Sequence, residues 1–236
     1  MNRTALKSKL SIIDGGNGTE IEKLLPKQVL EEMSSEWIAI TSITHPEIVK
    51  KVHADFVKAG ANFIIANTYN VNYNVLNSIN KGDLCEELIE NSMKLAREAM
   101  KEQKTAENDC FLAASISEHP PKCTRKENDK SRQNFPGWQD QKTVASNFEK
   151  TATLLLNKKI DCFFIELIIT KEYGFTLLES VKNVWKSMPK DKQVPVFLGL
   201  CPRLSEDGRL LYHNNRAPEA EIRKLLFFKV DFTCFE

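Results

Sequence analysis

Apolar, β-branched runs recur along the chain, and polar segments with helical periodicity separate them. Each run is continuously hydrophobic rather than alternating, which is typical of strands buried on both faces of a parallel sheet. The spacing between successive runs leaves room for one helix and two loops. The predicted strands, adjacent and parallel in sequence order, are residues 11–14, 62–67, 110–115, 161–166 and 194–200, with a weaker sixth run at 230–234.

The segments between these runs carry apolar residues at helical spacing. In the clearest of them, Ile48, Val49, Val52 and Phe56 share one face, and Gly60 follows as a stop signal. The predicted helices are residues 46–59, 84–100, 143–157, 172–185 and 217–227, and residues 118–138 form a long polar loop. This alternation predicts an α/β fold with a parallel sheet, and it fits both an open doubly wound sheet and a (β/α)8 barrel.

The first loop argues against a nucleotide-binding sheet. Residues 14–19 read Asp-Gly-Gly-Asn-Gly-Thr, which is neither the GxGxxG fingerprint nor a phosphate loop with its Lys-Ser/Thr. The net charge of the chain is close to zero, because 33 Lys and Arg are balanced by 32 Asp and Glu, which leaves a net +1. A basic excess is expected of proteins that bind nucleic acids or anionic membranes, so we expect neither kind of partner.

Two further features of the sequence place the chain among cytoplasmic proteins. No apolar run approaches the ~18 residues of a membrane span, and no apolar stretch follows the charged residues 1–7, so we expect no secretory signal. The six cysteines contain no CxxC pair, and reduced thiols, mostly buried in the core, are therefore expected.

Polar side chains follow the predicted strands at the points where the strands end. In a parallel α/β protein these ends meet at one edge of the sheet, where functional sites lie. Asp and Asn at such positions often only cap loops, and that interpretation is the simpler one for any of them alone. An acid directly after a buried run, as at Glu166, is harder to explain in that way. The residues are Asp14, Gly15 and Gly16, then Asn67, Thr68 and Tyr69, then Ser115, Ile116 and Ser117, then Glu166 and finally Cys234.

Three stretches of the sequence, at residues 12–20, 45–62 and 67–69, together resemble the homocysteine S-methyltransferase family. Residues 12–20 (IIDGGNGTE) are similar to the opening of that family, and residues 45–56 (HPEIVKKVHADF) with 59–62 (AGAN) are similar to its first helix and second strand. Residues 67–69 (NTY) match its second strand end. Weaker similarity at 115–116, 164–166 and 207–208 extends the match over nearly the whole chain.

The resemblance implies a (β/α)8 barrel that transfers a methyl group from a sulfonium donor, S-methylmethionine or S-adenosylmethionine, to homocysteine, giving methionine. A free thiol with a pKa near 8.5 is a poor nucleophile at pH 7. In the family, a zinc ion held by three cysteine thiolates binds the substrate sulfur and keeps it deprotonated. By the same resemblance, Asp14 and Glu166 hold the amino-acid part of homocysteine. The amides of Gly15 and Gly16, with Asn67 and Thr68, line the pocket.

The zinc ligands are where this sequence departs from the family. Cys234 stands at the position of the first zinc cysteine, but Asp231-Phe232-Thr233 precedes it in place of a Gly-x-Asn signature. The adjacent cysteine pair that supplies the other two ligands is missing from residues 1–236. Cys201 and then Cys123 are the next candidates, whereas Cys110 and Cys162 begin strands and are expected in the core. We therefore expect this chain alone to retain little zinc and to have little methyltransfer activity.

Three functional hypotheses remain open from the sequence. The first is a zinc-dependent homocysteine S-methyltransferase, of which residues 1–236 form one domain with about six β/α units and without the C-terminal part of the barrel. The second is a truncated, inactive family member that acts as a binding or interaction protein. An open barrel would expose two sheet edges and favour self-association. The third is a different α/β enzyme that uses Asp14 and Glu166 as an acid–base pair.

Overall fold

The structure is a computed structural model, and it describes residues 12–32, 37–103, 110–118, 140–168, 171–200, 203–204 and 210–211. The helices are α1 (Asn17–Leu24), α2 (Lys27–Glu32), α3 (Trp37–Thr44), α4 (Pro46–Lys58), α5 (Tyr73–Ser78), α6 (Cys85–Glu102), α7 (Gln141–Leu156) and α8 (Lys171–Ser187). The strands are β1 (Phe63–Ile65), β2 (Phe111–Ser117), β3 (Cys162–Ile168), β4 (Val196–Leu200), β5 (Arg203–Leu204) and β6 (Leu210–Leu211). Short 3-10 turns cover Gly82–Leu84 and Lys190–Lys192.

The main sheet has four parallel strands in the order β1-β2-β3-β4, which is also their order along the chain. Ile13 extends this order on the β1 side through a parallel bridge to Phe63. A doubly wound sheet would reverse direction at a switch point, and the described strands contain no such reversal. The predicted sequential order of strands is therefore confirmed.

Several predicted boundaries differ from the structure. The strand expected at 11–14 is reduced to the single bridge at Ile13, and that expected at 62–67 covers only Phe63–Ile65. The predicted helices at 46–59, 84–100, 143–157 and 172–185 correspond to α4, α6, α7 and α8. The predicted helix at 217–227, the strand at 230–234 and nearly all of the loop at 118–138 lie outside the described residues.

The helices begin and end where the sequence provides caps. The Asp140 carboxylate accepts hydrogen bonds from the amides of Lys142 and Thr143 at 3.0 and 3.2 Å, and so starts α7. Pro46 opens α4, where its missing N–H costs nothing. Gly60 follows α4 with φ +102°, a conformation that suits glycine.

None of the helices in the part of the chain that the structure describes combines the length and the apolar character that a membrane span requires.

The two faces of the sheet bury different residues. One face packs against α4, α6, α7 and α8 to form the main core, with Ile64, Leu112, Ile116 and Phe163 contributed by the strands. The opposite face carries four phenylalanines. The rings of Phe63 and Phe111 have centroids 5.0 Å apart, and those of Phe164 and Phe197 are stacked at 4.9 Å. We call Phe63, Phe111, Phe164 and Phe197 the aromatic layer.

Candidate functional site

Asp14 lies directly after the bridge residue Ile13, at the carboxyl edge of the sheet. It is 7% exposed. Its Oδ2 accepts a hydrogen bond from the Ile65 amide at 2.9 Å and a longer one from Asn17 Nδ2 at 3.4 Å. Its other oxygen, Oδ1, is buried and has no hydrogen-bond partner among the described residues. One half of the carboxylate is thus anchored and the other half is free to bind a ligand.

The surroundings of Asp14 disfavour its charge. Burial is the main cause, and it raises the pKa of Asp14 from 3.8 to about 7. The hydrogen bonds from Ile65 and Asn17 oppose this shift, and the negative charge of Glu166 adds to it. The charge of Glu166 thus reaches Asp14, and both residues lie toward the carboxyl edge of the sheet.

Glu166 lies within β3, two residues before the strand ends at Ile168 rather than at its predicted end, and it pairs in register with Ser117 of β2. Burial raises the pKa of Glu166, and the hydroxyl of Ser115 partly offsets the rise. Ser115 is fully buried, and its Oγ does not reach hydrogen-bonding geometry with any described residue. The Ser115 hydroxyl therefore interacts with Glu166 without forming a hydrogen bond of normal length and angle.

Asn67 and Thr68 lie at the same edge, but their side chains are bonded within the fold. Asn67 Nδ2 donates to the Ile38 carbonyl at 2.9 Å and contacts the hydroxyls of Thr41 and Ser42, each at 3.1 Å, which ties α3 to the sheet. Thr68 Oγ1 donates to the Ser115 carbonyl at 2.8 Å and accepts from the Ser115 amide at 2.9 Å. These bonds explain why both residues are buried, and a role for either in binding a ligand stays a prediction.

Gly15 and Gly16 connect Asp14 to the start of α1 and are exposed. A Cβ atom on Gly15 would lie 3.1 Å from the Phe56 ring, so little room exists there for a side chain. Backbone amides ahead of a helix carry a partial positive charge that favours anions. Gly15 and Gly16 therefore place the start of α1 directly after the Asp14 carboxyl group.

Comparison with known proteins shows the family of the chain. The family model described as Homocysteine S-methyltransferase matches residues 11–208. This chain belongs to the homocysteine S-methyltransferase family. Its relatives include Homocysteine S-methyltransferase 1 of Zea mays, 32% identical over 120 residues, or 46% of this chain and 35% of that protein. The protein of the same name from Arabidopsis thaliana is 27% identical over 120 residues, again 35% of its length. The alignments thus span about a third of these curated relatives.

Solved structures of one family member share the fold. The homocysteine methyltransferase MmuM from Escherichia coli in its metallated form gives a TM-score of 0.67 at 19% identity, covering 95% of this chain and 73% of that one. Its oxidized form gives a TM-score of 0.68 over 72% of its length. The fold is the (β/α)8 barrel type, and the described part of this family member is an incomplete barrel.

Asn17 is the residue at this site that the sequence prediction missed. Its Nδ2 donates to the Ile65 carbonyl at 3.0 Å as well as to Asp14 Oδ2. The only signal in the sequence is a polar residue directly after the Gly15-Gly16 pair, and Asn is common in loops without any further role. Its part in the site follows from the fold, which sets α1 against the end of β1.

The metal ligands expected for the family are not found among the described residues. These residues contain no group of three or more His, Cys, Asp or Glu side chains that could hold a metal ion. Cys162 begins β3 inside the core, where burial raises the pKa of its thiol, as expected for a core residue. Cys234, Cys201 and Cys123 all lie outside the described residues. The described residues alone thus offer no set of donors that would hold zinc.

A cavity of about 660 Å³ lies elsewhere, at the amino ends of β3 and β4. It is lined by residues 156–161 and 190–195, in the loops that precede these two strands. Asp14 and Glu166 lie at the carboxyl ends of the strands, at the other side of the sheet. The cavity therefore forms no part of the candidate site.

Proposed function

We propose that this chain binds homocysteine and serves its methylation by a sulfonium donor, S-methylmethionine or S-adenosylmethionine, which yields methionine. Membership of the family supports the substrate class. The observation that carries the proposal is the free Oδ1 of the buried Asp14, which lies at the same edge as Glu166. A buried carboxylate oxygen without a partner is costly, and an ammonium group is the ligand that would best satisfy it.

The orientation of homocysteine follows from the charges at this edge. Its ammonium group binds Asp14 and Glu166, because both carboxyl groups lie there and their mutual repulsion is relieved by a cation. Its carboxylate lies toward the amides of Gly15 and Gly16 ahead of α1. This leaves the thiol directed away from the anchored amino-acid group. The amino-acid end is held in position while the sulfur reacts.

Zinc activation of the thiol is the part of this proposal that rests on family resemblance alone. A bound zinc ion would keep the sulfur of the substrate deprotonated at neutral pH. Cys234 is the expected ligand from this chain. The residues described at the carboxyl edge hold the amino acid, exclude water from Asp14 and set its charge.

The test is binding of homocysteine to Glu166→Gln, measured by isothermal titration calorimetry with 4-mercaptobutanoate as a ligand that lacks the ammonium. Loss of one charge-assisted contact should weaken homocysteine binding by about 1.5–3 kcal/mol, or roughly 10- to 150-fold in Kd. Affinity for 4-mercaptobutanoate should not fall. The control is Glu87→Gln, the same change at an exposed position of α6. Unchanged homocysteine affinity in Glu166→Gln would contradict the proposed role.

A further inference from the structure

The amide of Asn17 has an acceptor that the fold leaves unused. Its Nδ2 is shared between the Ile65 carbonyl at 3.0 Å and Asp14 Oδ2 at 3.4 Å. Both of those atoms accept hydrogen bonds, so the opposite orientation of the amide would set Oδ1 against two oxygens. The orientation of the amide is therefore fixed by its neighbours. Oδ1 is then buried and without a hydrogen-bond partner among the described residues.

Two unsatisfied oxygens belong to neighbouring residues at one edge of the sheet, and they are Asp14 Oδ1 and Asn17 Oδ1. Asn17 is bonded to Asp14, Asp14 interacts with Glu166, and Glu166 interacts with the Ser115 hydroxyl, so these groups form one continuous cluster. Folded proteins pair most of their buried polar atoms, and two such exceptions in one cluster need an explanation. A ligand that donates several hydrogen bonds to this edge would provide it.

We propose that Asn17 contacts the ligand through Oδ1 and that, together with Asp14, it makes the site selective for a primary ammonium group. This inference rests on the proposed function and adds a specificity-determining residue to it. A primary ammonium carries three N–H donors, which is the number needed to reach Asp14 Oδ1, Asn17 Oδ1 and the Glu166 carboxylate together. A dimethylated amine keeps the positive charge but has one N–H, so it satisfies one of these acceptors and brings methyl groups against the others.

A purely positional role for Asn17 makes a different prediction. If Asn17 served only to hold the Asp14 carboxylate in place, its loss would weaken every cationic ligand by a similar factor. If Oδ1 contacts the ligand, its loss weakens the primary ammonium selectively. The ratio of the two affinities therefore separates contact from positioning.

The experiment compares homocysteine with N,N-dimethylhomocysteine on the full chain and on Asn17→Leu, a change that keeps the branched shape of the side chain and removes both polar atoms. The wild-type chain should bind homocysteine at least tenfold more tightly than the dimethylated compound. In Asn17→Leu the affinity for homocysteine should fall about tenfold, and that for the dimethylated compound less than threefold. Asn183→Leu, at an exposed position of α8, is the matched control and should change neither value. Circular dichroism and urea unfolding verify that the variants are folded.

Each remaining outcome decides the question. If Asn17→Leu loses the same factor of affinity for both compounds, Asn17 only positions Asp14. If it loses no affinity for either compound, Asn17 does not contact the ligand. Either result overturns the inference and leaves the proposed function intact. If the wild-type chain ignores homocysteine but binds methionine or homoserine with a selective loss in Asn17→Leu, the proposed function fails and the Asn17 contact stands. Failure to bind any of these primary amines would overturn both.

Discussion

Replacing Asp14 by Asn should stabilise the protein at neutral pH, although Asp14 is central to the proposed site. The substitution is nearly isosteric, and an Asn side-chain oxygen can still accept the hydrogen bond from the Ile65 amide. It removes the charge that burial disfavours. The same charge is the one proposed to bind the ligand ammonium, so stability should rise while homocysteine affinity falls.

The size of the effect follows from the pKa of Asp14, which burial raises from 3.8 to about 7. Because the folded state holds this proton more tightly than the unfolded state, its contribution to stability is complete below pH 3.8 and is lost as pH rises through 7. At about 1.4 kcal/mol per pKa unit, the loss approaches about 4 kcal/mol at pH 8. The Asp14→Asn variant carries no charge at this position and therefore does not suffer this loss of stability.

The assay is urea unfolding of the wild-type chain and Asp14→Asn between pH 4.5 and pH 8. The difference in the free energy of unfolding should increase by about 1.4 kcal/mol per pH unit up to pH 6.5 and level off above pH 7. Titrating groups that do not interact with Asp14 cancel in this difference, whereas Glu166, whose negative charge adds to the raised pKa of Asp14, contributes to it. A difference that stays constant with pH, or that shrinks as pH rises, would refute the argument that Asp14 is buried with a raised pKa.

Two further predictions concern buried polar groups outside the carboxyl pair. His53 of α4 is fully buried, and both of its ring nitrogens lack a hydrogen-bond partner among the described residues. Burial lowers the pKa of His53 from 6.5 to about 4. The contribution of the neutral ring to stability is therefore present above pH 6.5 and is lost as pH falls through 4. His53→Leu should raise the free energy of unfolding by about 1–3 kcal/mol at pH 7 and by more at pH 4.5, measured by urea unfolding; a destabilised variant would contradict this. Thr68→Val should leave two buried backbone groups of Ser115 unpaired and lower the unfolding free energy by about 2–5 kcal/mol. Thr153→Val, whose hydroxyl bonds the Glu149 carbonyl on an exposed turn of α7, should change it by less than about 0.5 kcal/mol; similar losses in both variants would argue against the special role of Thr68.

The positions of the strands were predictable because each is buried on both sides and is therefore hydrophobic throughout, and the family resemblance, which implies a barrel, favoured their sequential order over that of a doubly wound sheet. The residues at which the strands end were not predictable from this pattern. β1 is shorter than its apolar run because the Thr68 side chain replaces a backbone partner of Ser115, which no hydrophobic pattern reveals. The helix α3 was missed for a related reason. Its sequence, WIAITSIT, is rich in β-branched residues and lacks helical amphipathicity, and its helical form depends on packing against α6 and on the buried contact between Ser42 and Ser92.

The candidate site was predictable in its charged residues and less so in its neutral ones. Asp14 and Glu166 stand out because acids seldom follow buried strands without a reason. Asn67, Thr68 and Asn17 are of residue types that serve equally in loops, caps and sites, so the sequence cannot separate these roles. The fold separates them by showing which polar atoms already have partners.

The aromatic layer has a consequence for how fast a ligand arrives. The rings of Phe63, Phe111, Phe164 and Phe197 fill this face of the sheet on the amino side of the carboxyl groups with a medium of low dielectric constant. Above pH 7, where Asp14 is ionised, the field lines from its charge avoid such a medium and emerge through the carboxyl edge into solvent. A cation diffusing past this edge is thus attracted before contact, so capture should be governed by long-range electrostatic steering and should slow as added salt shortens the Debye length.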